Sequence, residues 1–368
     1  MKSLNITCIT SHLGSGGAER NLLRLAEWLA EGGHRVTVLT LDPDVADFYH
    51  PSPMVKRVVA GGDAFLSCRW FDFACQKRRK QALRRSLLAT KPDLVISFID
   101  TTNISVLAAL RGTEIPAIVS ERIDPGLHPI GWRWDLLRRL YYPSARKVVF
   151  VAQANLTWAG KMYPRWNSTA IANAVLAPDS QKQALPCFNR YNVITMGRLA
   201  DQKGFDLLIQ AFAGIADRFP EWNLIILGEG PLRPALEKLA AQQRLQQRAH
   251  LPGNMEQPDT VLQAADLFVL SSRYEGFPNA LLEAMACGLP VISFDCPSGP
   301  REIITDGRDG LLIEAGNVQA LQEAMQALMG DSDRRRQLAG NAPQVLERFS
   351  EQRIKGQWLS LIEDVMNC

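Results

Sequence analysis

The residues best suited to chemistry lie in the segment 271–284, which begins where an apolar run ends and continues into a helix pattern. Two acids, Glu275 and Glu283, stand eight residues apart in it, and Pro278 favours a helix that begins between them. A carboxylate can bind the two hydroxyls of a ribose diol, while the first N–H groups of a helix bind phosphate. The segment therefore predicts a site for a ligand with both groups, and a capped helix with two exposed acids is the alternative. The N–H groups expected to meet the phosphate are those of Asn279, Ala280 and Leu281.

A second loop, 197–204, follows another apolar run and carries two cations, Arg198 and Lys203. At the carboxyl end of a strand they could bind a diphosphate and neutralise the charge that develops on it as it leaves. Two solvated loop cations would give the same pattern, so the assignment depends on the acids of 271–284. Gly228, which ends the next apolar run, is assigned to the same ligand.

A glycine-rich turn, 14–20, follows the first apolar run and opens the first helix pattern. Gly16 and Gly17 would let the backbone approach a ligand closely, and the helix N-terminus favours an anion such as a diphosphate. The turn has neither the GxGxxG spacing nor the GK[ST] ending of a P-loop. A tight strand-to-helix turn would also require glycine, and both interpretations stay open.

The elements that must position these residues are short apolar runs that alternate with helix patterns such as 17–31 and 278–287. This alternation is typical of parallel sheets covered on both faces. It starts again after a proline-containing stretch at 173–190, which favours a linker. We predict an α/β protein with two Rossmann-like domains, 1–175 and 190–348, that face a cleft, and a terminal helix within 349–368.

Length and charge agree with this organisation. A chain of 368 residues favours two α/β domains, and a net charge of +3 argues against nucleic acid as a partner. No apolar run approaches the roughly 20 residues of a membrane span, and the N-terminus is interpreted as a buried strand rather than a signal peptide. Seven cysteines without metal-ligand or CxxC spacing predict reduced thiols in a cytosolic protein.

A metal site has little support. The DxD pattern of 42–44 lies in a turn with a proline, and the five histidines show no ligand spacing. We therefore expect no metal and no other cofactor.

Three motifs together resemble the retaining glycosyltransferases of family 4. They are the turn 14–20, the loop 197–204 and the segment 275–292, which reads EGFPNALLEAMACGLPVI. The resemblance covers almost the whole chain. It implies the GT-B fold, with the terminal helix returning to the N-terminal domain, and a nucleotide-sugar donor as a substrate.

The resemblance also implies roles for single residues. Glu275 would contact the transferred sugar and Glu283 the ribose of the donor, while Arg198 and Lys203 would hold its diphosphate. Glu275, Arg198 and Lys203 are accordingly the expected catalytic residues. The glycines implied to approach the diphosphate from the opposite domain are Gly16 and Gly17.

A closer likeness lies in 97–104 and 120–122, which resemble bacterial N-acetylgalactosaminyltransferases that extend undecaprenyl-diphosphate-linked glycans. Many members of the larger family carry a histidine after Ser-Glu, close to the reacting sugar, whereas this chain has Arg122. We expect Arg122 to bind a phosphate or a sugar hydroxyl of the acceptor.

Membrane contact is predicted for the segment 69–85, in which aromatic residues precede six cations. Such a basic helix favours an anionic leaflet, with about 1 kcal/mol per cation near the surface, or it could bind the acceptor's diphosphate. A solvated helix face is the alternative. The members assigned to the acceptor are Arg78, Arg79 and Arg84. A second aromatic and basic cluster consists of Trp132, Arg133, Trp134, Arg138 and Arg139.

Taken with the resemblance, these features predict transfer of GalNAc, or another HexNAc or hexose, from a UDP-sugar to a polyprenyl-diphosphate-linked glycan. The enzyme would lie peripherally on the inner face of the cytoplasmic membrane. The alternatives are a GDP-sugar donor, a soluble acceptor, a sugar-nucleotide epimerase and a non-catalytic nucleotide-sugar binding protein.

Overall fold

A computed structural model provides the structure of the chain. It describes residues 3–42, 44, 46–60, 73–178, 191–255 and 257–367. The chain divides into two compact units, of which the first comprises Met1–Asn173 with Gln352–Cys368 and the second Ala174–Glu351.

The first unit is built on a seven-stranded sheet. Its strands are β1 (Asn5–Thr10), β2 (Arg35–Thr40), β3 (Val55–Val59), β4 (Leu94–Phe98), β5 (Ala117–Glu121), β6 (Lys147–Phe150) and β7 (Ser168–Ala170). They lie in the order β3-β2-β1-β4-β5-β6-β7, and every neighbouring pair is parallel. The chain thus runs outwards from β1 in both directions, as in a doubly wound sheet, and ligands of such sheets bind at the carboxyl ends of the strands.

Within the described residues of this unit, five α-helices connect these strands. They are α1 (Gly17–Glu31), α2 (Phe73–Ala89), α3 (Asp100–Leu110), α4 (Trp132–Tyr141) and α5 (Gln153–Met162). The helix predicted over 17–31 has those bounds. Every residue of β4 and β5 is buried, because helices cover both faces of the sheet.

The second unit repeats this plan on a six-stranded parallel sheet. Its strands are β8 (Tyr191–Met196), β9 (Trp222–Leu227), β10 (Ala249–Gly253), β11 (Leu267–Leu270), β12 (Val291–Asp295) and β13 (Leu311–Glu314). They lie in the order β10-β9-β8-β11-β12-β13, so the carboxyl ends of β8 and β11 are neighbours.

The helices of the second unit vary more in length. They are α6 (Phe205–Ala213), α7 (Arg233–Gln242), α8 (Pro258–Gln263), α9 (Asn279–Ala286), α10 (Pro300–Ile303), α11 (Val318–Gly330), α12 (Ser332–Asn341) and α13 (Val345–Arg348). The helix predicted over 278–287 is α9, which carries Glu283.

The last helix, α14 (Glu351–Asn367), packs within the first unit. The Trp358 ring stacks on that of Phe98 at the end of β4, with centroids 6.0 Å apart. Lys355 Nζ lies 2.6 Å from Glu31 Oε2 at the end of α1. The chain therefore returns to the N-terminal sheet after completing the second one, as the family resemblance implies.

The cysteines depart from the expectation at one position. Cys8, Cys287 and Cys296 are free, whereas Cys75 is disulfide-bonded, so the prediction of seven reduced thiols is wrong. Sequence spacing could not show this, because a disulfide requires only that two Cα atoms approach to about 4.4–6.8 Å in the fold. Several predicted features lie outside the described residues. They are Trp70, Phe71, Pro43 and most of the proposed linker.

None of the helices in the described residues combines the length and the apolar composition that a membrane span requires.

Candidate functional site

The loops after β8 and β11 are pressed against each other. Arg273 N donates to Gln202 O (2.8 Å), and Ser271 Oγ donates to Lys203 O (3.0 Å). Gly204 has φ +60°, and a Cβ there would lie 2.1 Å from Ser271 O. Both the backbone conformation and the space therefore demand glycine at 204. The loop with the predicted cations is thus fixed on the loop with the first predicted acid.

This contact produces a preformed ion pair. Lys203 Nζ lies 2.7 Å from Glu275 Oε1, and the same oxygen accepts a hydrogen bond from Ser272 Oγ (2.6 Å). The Glu275 side chain is 6% exposed and that of Lys203 is 19% exposed. Within the described part of the chain both donors to this carboxylate reach Oε1, and none reaches Glu275 Oε2.

The backbone of Glu275 is held as firmly as its side chain. Ser298 Oγ donates to Glu275 O (2.5 Å) from the loop after β12. The next residue, Gly299, has φ +95°, and a Cβ there would lie 2.6 Å from Pro278 Cδ. Three strand ends therefore converge on Glu275. Sequence reasoning missed Ser272 and Ser298, because single serines in loops carry no distinguishing signal.

A second ion pair fastens the same loops from outside. Arg273 makes two hydrogen bonds to the carboxylate of Asp206, of 2.9 and 2.7 Å, and a third to Asp201 O (2.7 Å). Burial raises the pKa of Asp206 most strongly, but the hydrogen bonds and the charge of Arg273, together with two backbone N–H groups, outweigh it and hold the pKa below its ordinary value. Arg273, part of the 271–284 segment, thus acts here as a structural clamp.

Arg198 has a different environment. Its side chain is exposed at the end of β8, and no hydrogen bond or ion pair of its guanidinium occurs among the described residues. A Cβ on Gly228 would lie 2.0 Å from Gly197 O, with φ +133°. Gly228 therefore has a packing role that requires no ligand, since it lets the ends of β8 and β9 approach each other. Arg198 remains a cation available at this edge.

The remaining residues predicted to contact the nucleotide-sugar lie on the helix α9. It begins at Asn279 after Pro278, without a capping side chain, and Ala280 and Leu281 complete its first turn. The first N–H groups of a helix have no partner within the helix and carry partial positive charge. Glu283 is half-buried one turn further along. The second unit thus gathers two carboxylates, two cations and a helix N-terminus around one sheet edge.

In the first unit the glycine-rich turn has the predicted position. Gly16 precedes α1 with φ −78°, an ordinary value, and Gly17 is the first helical residue. A Cβ on Gly16 would lie 2.2 Å from Glu19 Oε2, because this carboxylate folds back over the turn. Both glycines are exposed. The structure therefore gives a local packing reason for Gly16 and leaves close approach of a ligand equally open.

Arg122 lies against the protein rather than extending into solvent. Its guanidinium stacks over the Phe98 ring, 4.4 Å from the centroid, and donates to Ser120 Oγ (3.3 Å) and to Asn173 Oδ1. Burial lowers its pKa to about 9. These contacts use two of the five N–H donors of the guanidinium that we expected to bind an acceptor, and they hold it against the protein.

The carboxyl ends of β4 and β5 hold a buried charge cluster that sequence reasoning missed. Arg138 Nε lies 3.5 Å from Glu121 Oε1, and Arg138 Nη2 lies 3.9 Å from Asp100 Oδ2. Tyr142 donates from its hydroxyl to Glu121 Oε1 (2.5 Å). Burial raises the pKa of Glu121 to about 7. Beside the cluster, Ile99 has φ +76°, which is strained for a β-branched residue.

This cluster corrects one sequence prediction. Arg138 was grouped with the aromatic and basic residues of a membrane-facing surface, but its side chain is 1% exposed. The reason is that Glu121 and Asp100, both nearly fully buried, require a cation beside them.

The three α2 arginines assigned to the acceptor have different environments. Arg78 is exposed, and Arg79 is half-buried. Arg84 Nη1 donates to Ala109 O (2.6 Å) and Arg111 O (2.9 Å) at the end of α3. Cations at a helix C-terminus stabilise its free carbonyl groups, so Arg84 has a structural task, whereas Arg78 is available to a ligand.

In the described residues no group of three or more His, Cys, Asp or Glu side chains is placed to hold a metal ion. Metal independence therefore remains a prediction.

Comparison with known families covers both halves of the chain. The family described as "Glycosyl transferase 4-like domain" matches residues 16–173, and the family "Glycosyl transferases group 1" matches residues 179–345.

Two proteins of Campylobacter jejuni are similar to the chain. One, "GalNAc-alpha-(1->4)-GalNAc-alpha-(1->3)-diNAcBac-PP-undecaprenol alpha-1,4-N-acetyl-D-galactosaminyltransferase", is 29% identical, with 99% of this chain and 100% of that protein covered. The other, "N-acetylgalactosamine-N,N'-diacetylbacillosaminyl-diphospho-undecaprenol 4-alpha-N-acetylgalactosaminyltransferase", is 30% identical, with 71% of this chain and 74% of that protein covered. These likenesses confirm the resemblance found in 97–104 and 120–122.

Among solved structures, HepE of Anabaena in complex with UDP and glucose superposes with a TM-score of 0.81 at 21% identity. The superposition covers 98% of this chain and 99% of the HepE chain. The fold and the paired motifs define a glycosyltransferase with the GT-B fold. By family, the chain belongs to the group 1 glycosyltransferases.

Proposed function

We propose that this chain is a retaining glycosyltransferase that moves GalNAc, or another HexNAc or hexose, from a UDP-sugar to an undecaprenyl-diphosphate-linked glycan. The observation that carries the proposal is the Lys203–Glu275 pair at the ends of β8 and β11, with Arg198 exposed beside it. The printed activities of both Campylobacter relatives support the acceptor class, and the UDP bound to HepE supports the donor class.

The donor would bind the second unit with its sugar, diphosphate and ribose each placed beside a different charged group. Glu275 Oε2 accepts a hydroxyl of the transferred sugar, and the N–H groups at the start of α9 meet the diphosphate. Glu283, one turn further on, takes the ribose hydroxyls. Lys203 would bind both the Glu275 carboxylate and the diphosphate of the donor, because its ammonium group has N–H donors beyond the one directed at Glu275.

The reaction would proceed by loss of the nucleoside diphosphate. The bond between the anomeric carbon and the phosphate oxygen breaks, and negative charge grows on that oxygen. Arg198 and Lys203 stabilise this charge. Because both cations are already in place, no reorganisation energy is spent as the charge develops. The acceptor hydroxyl attacks the same face of the sugar, and the departing phosphate takes its proton. Neither a metal nor another cofactor takes part.

The acceptor would be presented by the first unit at a membrane surface. The exposed cations of α2, among them Arg78, attract the anionic cytoplasmic leaflet or the diphosphate of the lipid carrier. The enzyme would therefore work peripherally on the inner face of the cytoplasmic membrane.

The test is transfer of radiolabelled sugar from a panel of UDP- and GDP-sugars to lipid-linked and soluble acceptors, with and without EDTA. We expect label to enter the organic phase from a UDP-sugar, unchanged by EDTA, and the product to keep the α configuration of the donor by NMR. Glu275→Gln serves as the inactive control.

Three outcomes would overturn parts of the proposal separately. Use of GDP-sugars alone would replace the donor, and labelling of soluble acceptors alone would replace the lipid carrier. Release of free nucleotide with an altered free sugar, independent of any acceptor, would indicate an epimerase.

A further inference from the structure

The helix α4 has two apolar faces, of which one is accounted for by the fold. Trp134, Leu137 and Tyr141 pack against the core of the first unit. Arg138, on the same inner side, is the buried cation of the Glu121 cluster. The inner face therefore fixes the helix on the sheet.

The outer face of α4 is apolar and exposed. Trp132, Leu136 and Leu140 are 71%, 59% and 61% exposed, respectively. They are spaced four residues apart, so their side chains form one row along the helix. We call this row the α4 stripe. Scattered apolar residues at a surface need no explanation, but a continuous row on one helix marks an interaction surface.

Cations border the α4 stripe on both sides. At about 100° per residue, Arg133 falls just beyond Leu140 around the helix and Arg139 just before Trp132. The Arg133 guanidinium lies 5.1 Å from the Trp132 ring centroid. Asp135 is the only acid of α4, and its carboxylate lies 3.8 Å from the buried Arg138. The border of the stripe is therefore positively charged.

The neighbouring helices extend this positive charge. The central helix α3 contacts α2 on one side and α4 on the other. Leu83 and Leu87 of α2 enter the same core against which α4 packs, so both helices cover one face of the sheet. Exposed cations follow the outer side of α2. They are Lys77, Arg78, Lys80 and Arg85.

An apolar row with tryptophan at one end, bordered by arginines and next to a basic helix, has the composition of an interfacial membrane helix. A second copy of this chain would bring the same cations face to face, and like charges oppose such a contact. An anionic bilayer satisfies both the apolar row and the charge.

We propose that the α4 stripe inserts into the headgroup region of an anionic bilayer, with the α2 cations adding electrostatic attraction. The inference deepens the proposed function, since it rests on an acceptor that lies in a membrane. The buried Arg138 links the inserted helix to the ends of β4 and β5, so insertion holds this strand edge at the lipid surface, where a lipid-linked acceptor is found.

The test is flotation of the full chain with vesicles of phosphatidylcholine, alone and mixed with phosphatidylglycerol. The stripe variant is W132Q/L136Q/L140Q, and Met54→Gln, at a side chain that is 58% exposed before β3, is the matched control. We expect the stripe variant to lose about tenfold or more in binding to mixed vesicles, because apolar insertion contributes alongside charge. The control should bind like the unchanged chain.

Two further measurements separate insertion from attraction. In K77Q/R78Q/K80Q/R85Q the remaining binding should be less sensitive to salt than that of the unchanged chain, because Arg133 and Arg139 are kept. The stripe variant's remaining binding should disappear at high salt. Brominated lipid should quench the fluorescence of Trp132, so the unchanged chain should lose more emission than Trp132→Phe, which retains an apolar side chain.

The proposal is overturned if the stripe variant floats like the control, or if brominated lipid quenches the unchanged chain and Trp132→Phe equally. It is also overturned if light scattering shows a dimer that the stripe variant abolishes while vesicles bind neither protein. Loss of flotation with retained transfer to a detergent-solubilised acceptor supports it. If no donor gives a product but flotation still depends on the stripe, the surface assignment stands and the proposed reaction falls.

Discussion

Charges at the two strand edges of this enzyme are arranged in opposite ways. At the ends of β8 and β11, Lys203 is 19% exposed and Arg198 is exposed, while Glu275 keeps one carboxylate oxygen without an internal donor among the described residues. At the ends of β4 and β5, Arg138 is 1% exposed and faces two buried carboxylates. The cations of the first edge are at least partly exposed, whereas the charges of the second face one another and hold helices on the sheet.

This difference indicates how each edge responds to mutation. Removing Lys203 from the edge of the second unit should affect the reaction more than folding, because the Lys203 side chain is partly exposed and Ser272 Oγ still donates to Glu275. Removing a charge from the β4–β5 edge should affect folding first, because the partner is left buried and unpaired.

The largest effect is expected for Arg138→Ala. It leaves Glu121 and Asp100 buried without their cation and should lower the free energy of unfolding by about 3–5 kcal/mol. Arg139→Ala, at the exposed neighbour on α4, should cost at most about 1 kcal/mol. Denaturant unfolding of both variants measures the contrast, and equal losses would show that the buried cluster does not stabilise the first unit.

The second-largest effect is expected for Lys203→Ala, and it concerns the rate of sugar transfer. Loss of a preorganised cation at a developing negative charge is expected to lower kcat by about 10²–10³. The melting temperature should change little, because the Lys203 side chain is partly exposed and Ser272 continues to hold Glu275. Lys238→Ala, at an exposed cation of α7, is the control. Unchanged turnover in Lys203→Ala would falsify its assignment to catalysis.

Gly204→Ala should destabilise the second unit by about 2–4 kcal/mol, which combines left-handed strain with a clash. The clash arises because the added Cβ would lie 2.1 Å from Ser271 O. Gly316→Ala has a similar φ of +78° but no atom within 4 Å, so it should cost only about 1 kcal/mol. Thermal unfolding separates the two, and similar losses would mean that the two loops can move apart without cost.

The last prediction concerns the pH dependence of stability in the first unit. Burial raises the pKa of Glu121 from 4.5 to about 7, so the folded state binds this proton more tightly than the unfolded state. The resulting stability is fully present below pH 4.5 and is lost as the pH rises through about 7. Relative to the unchanged chain, Glu121→Gln should therefore flatten stability across this interval. An identical pH dependence in both proteins, measured by denaturant unfolding, would show that Glu121 does not titrate in that interval.

Prediction from the sequence was most successful for features that depend on residues close to one another along the chain. The alternation of apolar runs and helix patterns predicted two parallel α/β units, and the helices at 17–31 and 278–287 followed closely. Glu275 and Glu283 lie before and within one short helix, so local spacing sufficed to place both at a helix N-terminus. Arg198 and Lys203 likewise share one loop of a predicted strand end.

The sequence could not predict partners brought together by the fold. Ser298, in the loop after β12, donates to Glu275 across 23 residues of sequence, and no local pattern predicts such a hydrogen bond. Arg138 was assigned to the surface because a helix with two tryptophans and three arginines indicates an interfacial helix, whereas burial of Glu121 and Asp100 turned one of those arginines inward.

The sequence by itself therefore determined the class of fold, the loop cations and the two acids near α9, because periodicity and spacing are properties of the chain. Only the tertiary structure decided which charges face a ligand and which face each other. A buried charge must be matched by whatever neighbour the packing of distant elements provides, and that neighbour is a property of the fold.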